Sequence, residues 1–281
     1  MTDSARTPRR VTPKGWTTLA LAGAAIGLAA GGPSAAAGGA QGIAGGPETL
    51  WLAQAAAGTE GGEAGEAGAA LGGDETVDLF YDLGVLEGAL RAGVALYRAG
   101  KADPAAPHLK RPGDDSYDEL SFHLADAGAE GFPDELTALA DAAQAGRPVA
   151  EVEAAFAAVL AKIDAARVKA GASEAEEAQA IVAILRKAAE DYAESVKDGS
   201  LAGPGEYQEA WGLAEVARGL AARMAAEEDT AERAFGEKTL AALDAVRAAL
   251  PEVAPQAAPA GDASALFAAA ATAELAAYRL K

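Results

Sequence analysis

From Glu75 onward, apolar side chains recur at steps of three and four, and almost no stretch alternates as a strand would. Val149, Val152, Phe156, Val159 and Ile163 share one helical face, while Glu151, Glu153, Lys162 and Asp164 fall elsewhere. Pro148 precedes them where a first-turn proline belongs. Ser173 and Glu176 form a capping-box pattern ahead of Ile181, Ile184, Leu185, Ala188 and Tyr192. That helix is expected to stop near Asp198-Gly199, with the glycine as a left-handed cap. Another helix follows Gly203-Pro204 with Tyr207, Trp211, Ala214 and Val216. Two more carry Phe235, Thr239, Leu243, Val246 and Leu250, then Phe267, Ala271, Leu275 and Tyr278. Residues 79–99 read as a long helix, and 117–127 and 134–145 as shorter ones. β-branched residues seldom cluster, so the pattern predicts an all-α helical bundle of roughly six to eight helices. Its alanine-rich faces favour close helix approach and many small contacts.

The pattern is different before Glu75. Arg6, Arg9, Arg10 and Lys14 precede an uncharged apolar run at 16–30 (WTTLALAGAAIGLAA), and Ser34-Ala35-Ala36-Ala37 offers small residues to a signal peptidase. A spanning helix needs about 20 apolar residues, and this run stops short at Gly31-Gly32-Pro33. Residues 1–37 therefore read as a cleaved signal peptide, and the mature chain as a periplasmic or secreted protein with no membrane span of its own. Arg9-Arg10 resembles a twin-arginine signal, but Thr12 and Pro13 stand where that pattern has apolar residues. The chain has no cysteine, which excludes a lipoprotein anchor and a disulfide framework alike. Residues 38–74 turn to Gly, Ala and Glu, including GTEGGEAGEAGAALGG at 58–73, and read as a flexible acidic linker. The helical remainder divides into an N-terminal half at 75–170 and a C-terminal half at 171–281, the latter with a proline-rich connector at 251–262 (PEVAPQAAPAGD).

Charge narrows the range of partners. The formal net charge is -19, and residues 1–37 carry four basic side chains against Asp3, so the mature chain comes to about -22. Such a surface repels nucleic acid and anionic lipid and attracts cations or basic proteins.

Residues 108–123 hold the densest chemistry. His108 lies between Pro107 and Pro112, in what reads as a constrained loop, and Asp114, Asp115, Asp118 and Glu119 follow, with His123 beyond. Glu119 and His123 are four apart, so on a helix they face one side, a spacing suited to holding a divalent ion. His108, Asp114 or Asp115 would have to complete the shell. The plainer alternative has His108 capping a helix or meeting solvent, the acidic run stabilising a helix start, and His123 half-buried near Phe122. No strand-turn-helix elbow precedes Ser116 or Ser121, and no phosphate loop, dinucleotide fingerprint or cysteine pair occurs, so the chain reads as non-enzymatic.

Two stretches carry resemblances. Residues 185–218 contain Asp191-Tyr192, Val196-Lys197-Asp198-Gly199 and Glu206-Tyr207. They resemble the periplasmic helical region of bacterial high-affinity iron permeases, in which an aspartate-tyrosine pair, a valine-x-aspartate-glycine turn and a glutamate-tyrosine helix start recur. The arginine-glutamate-x-x-glutamate motif of the permease membrane helices is missing here, so the resemblance implies an associate of such a transporter. Residues 88–120 resemble a group of exported bacterial helical proteins that carry histidines before an acidic residue and a tyrosine. Ala89 and Arg111 occupy two of those histidine positions, and only His108, Asp114, Asp115 and Tyr117 keep polar groups there.

Two functional readings result. One is a periplasmic accessory that binds or presents metal cations, iron foremost, to a membrane transport system. The other is a structural or interaction subunit that docks on an envelope or membrane complex with no metal role.

Overall fold

The computed structural model describes residues 74–114, 117–197, 199–256, 259 and 261–280. The expected signal peptide and all but the last residue of the expected linker lie outside them. The described residues form nine α-helices and one two-stranded sheet, an all-α bundle as the apolar spacing predicts. None of these helices is long and apolar enough to cross a membrane.

Helix α1 (Glu75–Arg98) starts at Asp74, whose side chain accepts from the backbone N–H groups of Thr76 and Val77. It is buried around most of its circumference because it packs on helices from both halves of the chain. Helix α2 (Ala102–Asp114) corrects the expected loop around His108. Its three prolines argue against a helix, but Pro104 lies in the first turn, where no backbone donor is needed. Ala105, His108 and Leu109 are buried beside α1 and offset the bond that Pro107 removes. This is the one helix the periodic pattern leaves out.

Helices α3 (Tyr117–Asp126), α4 (Pro133–Gln144) and α5 (Val149–Ala170) complete the N-terminal part. Leu79, Leu83 and Leu90 of α1 meet Leu120, Leu139, Val159 and Ile163 in one apolar core. The predicted α5 face is buried at Val152, Val159 and Ile163, partly buried at Phe156, and exposed at its Val149 edge.

Helix α6 (Glu174–Ser195) opens with the predicted capping box of Ser173 and Glu176. It ends at Ser195, earlier than expected, because the chain turns into β1 (Val196–Lys197), paired antiparallel with β2 (Ser200–Leu201). Gly199, at φ 72°, sits in the turn of this hairpin and not at a helix cap. Then come α7 (Pro204–Ala225), α8 (Thr230–Ala245), α9 (Ala263–Ala277) and a 3-10 turn, Tyr278–Leu280. Helix α6 packs on α7 and α9, and α8 packs on the same two, so the four close a ring. Helix α1 lies against its α6–α7 side. Trp211 is half-buried between the core of this ring and that of the N-terminal helices.

The face that α9 buries is not the one its largest side chains suggest. Leu266, Ala269, Ala270, Ala273, Ala276 and Ala277 pack into the ring, while Phe267, Ala271, Leu275 and Tyr278 face outward. Small side chains let α9 seat closely on α6 and α8, and close seating prevails over residue size.

Candidate functional site

Leu120 and Leu124 anchor α3 to the core, one helical turn apart. They leave Glu119 and His123, also one turn apart, at its border with α1. There His123 Nδ1 lies 2.6 Å from Asp82 Oδ2, the ring N–H donating to the carboxylate. Both side chains are about one-quarter exposed (28 % and 26 %), so the pair is reachable from solvent. Burial raises the Asp82 pKa to about 6 against the pull of His123, with Glu119 and Asp78 adding to the rise. The Asp78 pKa is also raised, chiefly by burial, and its Oδ1 is buried without a hydrogen-bond partner.

This geometry has a definite chemical capacity. A carboxylate that holds one imidazole nitrogen fixes the tautomer and leaves the other, Nε2, to meet a cation. Glu119, one turn earlier on α3, offers a second ligand on the same side. Asp82 is the member that sequence reasoning missed. It lies 41 residues from His123, and its only local signal was the four-residue step from Asp78 on α1.

The remaining candidates go elsewhere. His108, 6 % exposed, faces α7, where its Nε2 is 2.8 Å from Gln208 Oε1. This buried contact ties α2 to α7 and commits the ring to packing. Asp114 ends α2, but its side chain and all of Asp115 lie outside the described residues. Tyr117 holds the turn before α4: its hydroxyl accepts from the backbone N–H of Phe132, and the two rings meet edge to face at 5.7 Å. Among the described residues no group of three or more His, Cys, Asp or Glu side chains is gathered into a closed metal shell, so the α1–α3 border offers two ligands at most.

In the ring, two tyrosines hold the connector that leads to α9. Tyr192 on α6 donates its hydroxyl to the Gly261 carbonyl at 2.9 Å, and Tyr207 on α7 donates to that of Glu252 at 2.9 Å. Their rings lie 6.1 Å apart. Both hydroxyls are pushed up in pKa, chiefly by burial, and stay protonated donors. Beside Tyr192, Asp191 accepts from Lys187 through Oδ1, while its Oδ2 is buried with no partner.

A closed four-helix ring whose connector is pinned by the tyrosines of the Asp191-Tyr192 and Glu206-Tyr207 motifs defines a helical-bundle class. Residues 168–278, which span α6 to α9, match the family model of the iron permease-associated 4-helix bundle domain. The match bears out the resemblance seen at 185–218. Comparisons with curated proteins and with solved structures returned no match.

Proposed function

We propose that this chain is a non-enzymatic periplasmic accessory of an iron-permease-type transport system, capturing cations and presenting them to the membrane partner. The match of residues 168–278 to the iron permease-associated 4-helix bundle domain carries this reading. The export-type residues at 1–37 and the net charge of -19 support it further, because an acidic exported surface concentrates cations from the surrounding solution. The cargo meets the protein at His123 Nε2 and the Glu119 carboxylate, with Asp82 orienting the imidazole. Two protein ligands suit weak, exchangeable capture, which an accessory that must release its cargo requires.

Calorimetric titration of the chelator-treated protein with ferrous, cupric and zinc ions tests this reading. Saturable binding that His123→Ala and Asp82→Asn each weaken supports it. Heats unchanged by either variant overturn it in favour of a docking subunit with no metal role.

A further inference from the structure

Arg167, in the last turn of α5, is the one side chain among the described residues with two buried polar atoms that lack a hydrogen-bond partner there. The side chain is only 4 % exposed. Its Nη1 donates to Glu87 Oε2 at 2.7 Å, while Nε and Nη2 reach no acceptor among the described residues. Those two nitrogens form one edge of the guanidinium plane, with parallel N–H bonds that match both oxygens of a carboxylate or two oxygens of an oxoanion.

The neighbouring carboxylates do not serve this edge. Both oxygens of Glu87 already accept, Oε1 from Arg91 Nε at 2.8 Å and Oε2 from Arg167 Nη1. Asp164 Oδ1 stands 3.8 Å from Nη1, beyond hydrogen-bond reach. Positive charge gathers here: burial raises the Asp164 pKa, and Arg167, Arg223 of α7 and Arg91 each oppose the rise. Arg167 and Arg223 occupy the last turns of their helices, where the dipole favours cations. That placement explains their charge, but not a guanidinium edge shut in without an acceptor, which is costly. The side chains of Arg91 and Asp164 are 33 % and 30 % exposed, so solvent reaches the rim of the group.

We propose that the Nε–Nη2 edge of Arg167 is a binding site for one small carboxylate or oxoanion, held bidentately where α5 meets α1. The burial of Arg167 restricts the ligand to a few heavy atoms. A net charge of -19 repels anions at long range, so occupancy depends on the two directed hydrogen bonds. The inference is independent of the cation reading.

Calorimetric titration of the full chain with acetate, phosphate and sulfate, at constant ionic strength set with chloride, tests it. At least one of the three should bind saturably and raise the melting temperature, acetate marking a carboxylate ligand and phosphate or sulfate an oxoanion. Arg167→Lys keeps the charge but has no fork, and should weaken binding roughly tenfold or more. The Glu87→Gln, Arg167→Met double variant should abolish it with the fold intact by circular dichroism. Arg223→Gln, at an exposed position, should leave the fold untouched and weaken binding by a smaller factor. No saturable binding of any of the three anions means that water alone meets this edge, and overturns the proposal. So does binding that Arg167→Lys leaves unchanged, which marks an adventitious ion only.

Discussion

Gly212 on α7 lies so close to Gly88 on α1 that a Cβ at 212 would stand 2.0 Å from the Gly88 carbonyl oxygen. The obstacle is backbone, which cannot rotate away. This contact sets how closely the ring and α1 approach. Gly212→Ala should therefore lower stability by about 2 kcal/mol or more. Gly219, on the same helix, has nothing within 4 Å of its Cβ position, and Gly219→Ala should raise stability by up to about 1 kcal/mol through helix propensity alone. Denaturant unfolding of the two variants gives opposite signs if the crossing is as described.

Glu87 and Arg167 form a buried ion pair at 2.7 Å, with Arg91 joining from α1. Burial opposes ionisation of Glu87, but the two guanidinium groups outweigh it and hold its pKa below the ordinary carboxylate value. Arg167→Met leaves the carboxylate with the partly exposed Arg91 alone and should cost about 1–3 kcal/mol. Adding Glu87→Gln should recover most of that loss, since the buried charge is then gone. A double-mutant cycle in urea measures the recovery.

Asp191 predicts the pH dependence. Burial raises its pKa from 3.8 to about 6, and Lys187 offsets this only in part. The folded protein thus holds a proton between about pH 4 and pH 6 that the unfolded chain has released. The resulting stability is fully present below about pH 4 and lost as pH rises through about 6, and Asp82 acts in the same direction. Asp191→Asn should flatten the fall in melting temperature across that window. An unchanged slope would contradict the assignment.

The two histidines should separate by phenotype. His108→Ala breaks the buried contact to Gln208 and should cost about 1–3 kcal/mol of stability while leaving cation binding intact. His123→Ala removes a half-buried ring at the α1–α3 border and should weaken cation binding first. Unfolding curves and titration heats on the same samples distinguish the two.

How much of this was legible in the sequence follows from which signals are local. Helix α6 could be read because its capping box lies within four residues and its apolar positions keep one period. Helix α2 could not, since its prolines give a local signal against a helix and the burial beside α1 that overrides them is tertiary. On α9, residue size indicated one face, but with alanine at nine of its fifteen positions the packing partner decided which side turned inward. The candidate site was half visible: Glu119 and His123 share a helix, whereas Asp82 arrives from 41 residues away and nothing local marks it as a partner for histidine.

In the proposed role the chain hands cations to a transporter. Iron uptake by cells lacking the protein, complemented with the unmodified chain or with the Asp82→Asn, His123→Ala double variant, measures that handover. Without the protein, uptake at low iron should be slow, and the unmodified chain should restore it where the double variant does not. Uptake equal with and without the protein, or restored fully by the double variant, would contradict it.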